Sequence, residues 1–366
     1  MSLDNQEISN LTLIIPTFER QDYLLRQILY LADWNVKTII VDGSLNKITN
    51  VTQKVIDQNT NISYYHLNKS YVERVYFAAN KIKTEFAMCL AEDDFYLRSG
   101  IEQSIKILKL NTDAVACMGK SIGLDRLINK NYVFEYGNNL TDYNINQDLA
   151  KSRIAFAFNQ YRSAAPYAVY KASTFKKVWS LRDKVSCLEV VEYENTLNTL
   201  LEGKLISSNS LYWIRSFETS PIPSKLDGTR KTDFNAWYSK NRFSIEKERF
   251  ETRVKNSFIN QLKLSNVDSE LFYKEILNNI ISRSQSTLVV GNKRSLIFDI
   301  ILKKLRFSFL LLNLKNLLIW KKYFRPIITY WLRDKIKYSK LEFKLKESEI
   351  KKVIRFANAT RNIVKK

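Results

Sequence analysis

Glycine and proline are scarce in this chain, 8 and 5 among 366 residues, which excludes collagen-like repeats and Gly/Pro-rich linkers. No internal repeat is visible. The three cysteines, Cys89, Cys117 and Cys187, are widely spaced and odd in number. They fit neither a disulfide framework nor a zinc pattern, so a reducing cytosol is the expected setting. Histidine occurs once, as His66, in a strand-like run that gives it a structural reading. No hydrophobic run approaches the roughly 18 residues of a bilayer span. The longest, Phe307 to Leu314, is interrupted by Ser308 and Asn313 and followed by Lys315. The polar, acidic opening MSLDNQEISN argues against a secretory signal.

Acidic residues are also in deficit, 37 against 58 Lys+Arg, for a net charge of +21. The deficit is uneven: residues 291–366 hold 21 lysines and arginines and 5 carboxylates, so this stretch alone carries +16. Such asymmetry marks a segment with its own anionic partner, a membrane surface in the first place and a nucleic acid in the second. What the chain does have is 45% hydrophobic and 13% aromatic residues, enough for a sizeable core in one large domain or two smaller ones.

The first third alternates strand and helix patterns. Leu11–Ile15 is a short buried strand stopped by Pro16, and 20–33 carries Leu24, Leu25, Ile28 and Leu31 at helical spacing. Val36–Val41 is a second strand ending in Asp42-Gly43-Ser44; 48–58 reads as helix, Ile62–His66 as strand and 70–82 as helix. This rhythm predicts a mostly parallel sheet covered by helices, with ligands at the carboxyl ends of its strands. Helix is expected at 100–110, strand at 114–123, a polar connection at 125–150, helices at 172–180 and 188–202, and a strand at 205–215. From about 227 the pattern is helical, and from 297 to 337 basic residues interleave with Leu, Ile, Phe, Trp331 and Tyr330 in a way that suits a helix lying in a membrane interface.

The fourth strand-like run, Phe86–Leu90, ends in three consecutive carboxylates, Glu92, Asp93 and Asp94, followed by Phe95 and Tyr96. Adjacent acids repel one another, so the cluster implies something positive nearby, and a divalent cation bound by hard oxygen ligands, itself holding a diphosphate, answers that need. A run of acids before a helix also favours the helix macrodipole, which is the bland alternative. Asp42-Gly43-Ser44 reads equally as a plain turn.

Leu13-Ile-Ile-Pro-Thr-Phe-Glu19-Arg20, Val41-Asp42-Gly43-Ser44 and Ala91-Glu-Asp-Asp-Phe95, in that order, resemble the opening of a family-2-like bacterial glycosyltransferase with the GT-A fold, of the kind that builds surface polysaccharides such as lipopolysaccharide or capsule. The resemblance covers roughly residues 10–215. It implies a Rossmann-like α/β catalytic domain over 1–225; beyond it, the helical pattern gives a helical extension over 226–290 and the charge gives the basic amphipathic tail over 291–366. It also implies that Pro16, Thr17, Glu19 and Asp42 hold the base and ribose of a nucleotide-sugar donor, with Asn80 near the nucleotide and Arg74 as a weaker candidate. In the family's acidic motif the last acid binds the metal and the first contacts ribose or metal; these positions are Asp94 and Glu92, with Asp93 between them as a donor contact. Glu92 departs from the usual Asp. The expected cofactor is Mn²⁺ or Mg²⁺.

Inverting transfer needs a base for the acceptor hydroxyl. The resemblance puts an acid early in the helix that runs to Gly203-Lys204, where Glu189, Glu192 and Glu194 stand. Glu192 is the expected base and Glu194 the next choice. Arg162 and Tyr167 are expected to line the acceptor side, and Arg215 to pair with phosphate.

The expected partners are the nucleotide-sugar donor, a glycan or lipid-linked glycan acceptor, and an anionic membrane surface on the cytoplasmic face; homo-oligomers are compatible with the chain, and nucleic acid is not expected. Two other functions fit parts of the sequence: a nucleotidyltransferase or sugar-phosphate transferase on a related fold, and a non-enzymatic nucleic-acid binder using the basic tail.

Overall fold

The computed structural model describes residues 6–127, 130–135, 140, 143–180, 185–217, 233–284 and 347–360. After a single turn, α1 (Gln6–Ser9), strand β1 (Leu11–Thr17) runs through the centre of the first half-sheet with every residue buried. A parallel strand covered by helices on both faces has no solvent side, hence its unbroken apolar run. It pairs in parallel with β2 (Lys37–Asp42) on one side and β4 (Phe86–Cys89) on the other, and β2 pairs in parallel with β3 (Ile62–His66). The β1–β4 ladder stops at Ile14–Cys89, so Pro16, which has no N–H to donate, lies beyond the point where β4 needs one. The crossovers are α2 (Gln21–Leu31), α3 (Asn50–Asp57) and α4 (Tyr71–Ala79). Helix α4 opens with a capping box in which Ser70 and Glu73 satisfy each other's backbone N–H groups.

Beyond β4 come β5 (Phe95–Tyr96), α5 (Arg98–Leu110), β6 (Ala114–Leu127), β7 (Lys130–Glu135), α6 (Ala150–Asn159), β8 (Val169–Lys171), α7 (Ala172–Val178), α8 (Leu188–Glu202) and β9 (Lys204–Ser216). The sheet order is β3-β2-β1-β4-β8-β6-β9-β5, with β7 paired to β6. β6 and β9 are parallel, while β8, β7 and β5 pair antiparallel with their neighbours. The expected mostly parallel sheet flanked by helices is therefore present, with antiparallel strands grafted onto its second half. Strand order reverses at β1/β4, so the crevice of a topological switch point opens above the ends of β1 and β4. Gly100 lets α5 sit directly on β9, since a Cβ there would lie 2.2 Å from the Leu211 carbonyl oxygen.

The C-terminal part is helical, as expected: α9 (Phe234–Ser239), α10 (Ser244–Leu262), α11 (266–284) and α12 (Glu347–Ala359). Residues 285–346, which include the interfacial helix expected within 297–337, lie outside the described residues. No helix among the described residues is long and apolar enough to cross a membrane. Helix α12 falls inside the segment expected as a separate tail, yet it packs on the α/β body: Glu349 accepts a hydrogen bond from Ser99, Lys352 pairs with Asp33 at 2.9 Å, and Val353 and Ala357 are buried.

Helix α10 is fastened to α8 by one ion pair. Arg253 donates to both oxygens of the buried Glu194 carboxylate, at 2.8 and 3.1 Å. Arg253→Ala would strand that carboxylate without its guanidinium, and breaking such a pair costs about 3–5 kcal/mol. Chemical denaturation is expected to show a loss in the lower part of that range, because Arg253 is itself 28% exposed. The double variant Arg253→Met/Glu194→Leu should recover most of it.

Candidate functional site

The carboxyl end of β1 is held against the end of β2 by backbone and side chain together. The Gly43 N–H donates to the Thr17 carbonyl at 2.9 Å, and Arg74 from α4 donates to the same oxygen. Gly43 leaves room for the Arg74 guanidinium, which a Cβ there would meet at 2.7 Å and push aside. Asp42 is fully buried; one oxygen accepts from the Ser44 N–H and the other from the Tyr64 hydroxyl, each at 2.9 Å. Burial and then the Asp42 charge push the Tyr64 hydroxyl pKa upward, so it stays a donor. Glu19, in the left-handed region at φ 53°, clamps the two loops: its N–H donates to Ser44 Oγ and its carboxylate accepts from the Leu45 N–H, both at 2.7 Å. His66 closes this end through a 2.7 Å hydrogen bond to the Ser44 carbonyl, in line with its structural reading.

The acidic turn stands beside this pair of loops. Arg20 Nη1 donates to Asp93 Oδ2 at 2.6 Å and lies 3.7 Å from Glu92, while the buried Arg26 donates to the Asp93 carbonyl at 2.9 Å. Asp94 is buried, and its two oxygens accept from the Trp213 indole N–H at 2.9 Å and the Ser216 N–H at 2.8 Å. Burial first, and the neighbouring Asp93 second, hold Glu92 and Asp94 well above the ordinary carboxylate range; Arg20 opposes this at Glu92, and Arg215 at Asp94. Burial thus favours the protonated forms of Glu92 and Asp94, added positive charge would favour the ionised ones, and the hard oxygen donors of the turn suit a divalent cation in chemistry. No three metal-ligand side chains converge on one point among the described residues. Asp94 can turn an oxygen to a cation only by sharing it with, or releasing, the end of β9.

The short helical turn Ala165–Tyr167 lies against the end of β9, which holds Asp94, and against α8. Ser163 Oγ donates to Glu192 Oε2 at 2.6 Å. Burial, as the largest cause, pushes the Glu192 carboxyl up to about 7, with Glu189 adding to it and Ser163 and Arg215 opposing it. The positive charge of Arg215, whose guanidinium lies over the Trp213 ring, favours the ionised form of both Asp94 and Glu192. The field of Glu192 also reaches Tyr71 at the start of α4, where Arg74 acts as well. Tyr167 stacks on Trp213 with ring centroids 4.9 Å apart, and Arg162 lies over the Tyr143 ring.

The remaining expected residues fall elsewhere. Glu194, the second candidate base, faces α10 in the ion pair with Arg253; its oxygens are turned away from the cleft because residues two apart on a helix point in nearly opposite directions. Glu189 accepts from the Phe234 N–H. Asn80 is the exposed C-cap of α4, with its amide on the Tyr76 carbonyl. Helix α4 begins beside the strand ends and runs away from them, so Arg74 and not Asn80 reaches the crevice. Tyr64, Ser163, Trp213, Ser216 and Arg26 were not expected as partners of the acids. Trp213, Ser216 and Arg26 reach the acidic turn only when β9 and α2 fold against it, Tyr64 reaches Asp42 across the β2–β3 pair and Ser163 reaches Glu192 from the segment after α6, and no local sequence signal announces any of these.

No protein-family model and no curated protein matches the chain by sequence. Solved structures do match in shape. The crystal structure of S. aureus TarS 1-349 in complex with UDP-GlcNAc aligns over 75% of this chain and 74% of that chain, with TM-score 0.51 and 14% identity. The crystal structure of S. aureus TarS aligns over 76% of this chain and 44% of that longer chain, with TM-score 0.50 and 15% identity. The likeness is one of fold. It is the GT-A arrangement that the strand-end motifs predict.

Proposed function

We propose that this protein is a glycosyltransferase that moves a sugar from a nucleotide-sugar donor to a hydroxyl of a glycan acceptor, with inversion at the anomeric carbon. The observation that carries the reading is the set of buried acids at the switch point, Asp42, Glu92 and Asp94, with Glu192, a partly buried glutamate bonded to Ser163 and held near pH 7, as the candidate base. Glu192 accepts the proton of the acceptor hydroxyl as its oxygen attacks the anomeric carbon, and a base whose pKa lies near the working pH suits that role. Arg215 offsets the charge that develops on the departing diphosphate. Asp42 and Arg74, both buried, would hold the base end indirectly, by fixing the loops at the ends of β2 and β1. A uridine diphosphate sugar is the first donor to test, in keeping with the UDP-GlcNAc complex of TarS. A divalent cation, when bound, supplies further positive charge at the diphosphate, and Asp94 with Glu92 are the residues that would hold it. A lipid-linked acceptor, met at an anionic membrane surface, rests on the basic stretch of the sequence at 291–366.

A thermal-shift screen of UDP-, GDP- and dTDP-sugars, each with and without Mn²⁺ or Mg²⁺, tests the reading. At a ligand concentration a hundred times Kd, binding stabilises the fold by about 2.7 kcal/mol. The UDP series with metal is expected to raise the midpoint. The reading fails if no nucleotide does so, or if turnover releases pyrophosphate in place of a nucleoside diphosphate.

A further inference from the structure

The acidic turn is braced from a part of the chain far from it in sequence. Arg26 is 1% exposed, and its guanidinium carbon sits 4.8 Å from the centre of the Phe95 ring and 5.0 Å from that of Tyr23, while its Nη2 donates to the Asp93 carbonyl. One turn along α2, the Tyr30 hydroxyl donates to the Tyr96 carbonyl at 2.6 Å. The backbone of the turn is thus gripped on both sides of Phe95, at residues 93 and 96. The rings of Tyr30 and Phe95 meet edge-on at 5.2 Å, and Phe356 of α12 packs on both, at 5.4 Å from Tyr30 and 6.4 Å from Phe95. Val353 and Ala357 bury the same face of α12. A guanidinium stacked between rings keeps its orientation only while the rings keep theirs.

We propose that Phe356 is a positioning residue for the donor-side acids: it closes the Tyr30–Phe95 contact that orients Arg26, and Arg26 in turn fixes the Glu92–Asp94 turn. The C-terminal helix is thereby part of the donor site's support. What the turn binds rests on the glycosyltransferase reading; how the turn is held does not.

The test uses the full chain with Phe356→Ala, Phe356→Leu, Arg26→Lys and, as a control on the same helix, Lys352→Ala. Hydrogen–deuterium exchange of peptides covering 90–97 is measured beside calorimetric titration with UDP and Mn²⁺. Phe356→Ala and Arg26→Lys are expected to speed exchange in 90–97 about tenfold while β1 and β2 stay protected. Both are expected to weaken UDP binding about tenfold in the folded protein. Phe356→Leu restores most of both effects, and Lys352→Ala, which loses only a surface ion pair, changes neither. Unchanged exchange in 90–97, or protection lost evenly across the domain, overturns the proposal, and where Phe356→Ala fails to fold the milder Phe356→Val takes its place with the same expected and overturning results. If the wild type binds no UDP while exchange responds locally, the positioning role stands and the nucleotide reading falls instead.

Discussion

Asp94→Asn is expected to reduce turnover about a thousandfold, some 4 kcal/mol of transition-state stabilisation. The substitution keeps the volume and removes the charge. It also replaces one acceptor oxygen with an NH₂ group that faces either the Trp213 indole N–H or the Ser216 N–H, both of which donate to Asp94 in the native site. A donor set against a donor costs about 1–3 kcal/mol, but the change also removes a carboxylate that burial makes unfavourable, so the melting midpoint should move by only a few degrees. The two losses separate in one experiment. With Mn²⁺ present, nucleotide should raise the midpoint of the wild type and not that of Asp94→Asn. A folded Asp94→Asn that turns over at the wild-type rate would remove Asp94 from the machinery. If nucleotide stabilises the wild type equally with and without metal, the cation is not part of the site, and Asp94 serves instead to hold the end of β9, and so Arg215, in place.

The sequence makes the first half of the molecule readable because each signal there is local. A continuous apolar run, a turn residue and an amphipathic helix repeat three times before residue 90, the last two helices capped by Thr49 and Ser70, and each corresponding element lies within a few residues of its expected bounds. Strands β5 and β7 escape for opposite reasons. β5 is two residues long, too short for any periodicity, and β7 lies inside a polar stretch that reads as connection. In the site, the strand-end acids are visible as motifs, but their partners are not. Trp213 and Ser216 reach Asp94 across the sheet, and Phe356 reaches Phe95 from the far end of the chain. Those contacts depend on tertiary packing, which leaves no spacing to count. The three glutamates of α8 mark the limit most clearly: the helix places each of them by rotation alone, and only the neighbours, Ser163 for Glu192 and Arg253 for Glu194, divide a base candidate from an ion pair.

That division gives the second large expectation. Glu192→Gln should lower the rate of transfer by about 10²–10⁴-fold, the usual worth of a positioned base, with donor binding little changed because Glu192 is bonded to Ser163 and not to the acidic turn. The pH dependence supplies the sign. With its carboxyl pushed up to about 7, Glu192 holds its proton below that pH and cannot accept another, so wild-type kcat/KM should rise through pH 7 and level off above it. Residual activity of Glu192→Gln should lack that inflection. Stability should run the other way. The unfolded chain ionises this glutamate near its ordinary value of 4.5 while the folded protein keeps it protonated to about 7, so the native state binds the extra proton and stability falls as pH rises between those values. The glutamine variant carries no such penalty, so its melting midpoint should gain on the wild type from pH 4.5 to 7 and hold a constant lead above. Ser163→Ala removes the hydroxyl that favours the ionised form, and should move the activity inflection to higher pH without abolishing transfer. An inflection that stays in place in both variants would assign the base to another group. A rate loss in Glu194→Gln matching that of Glu192→Gln would mean that the α8–α10 ion pair, and not the hydroxyl-bonded glutamate, sets the rate.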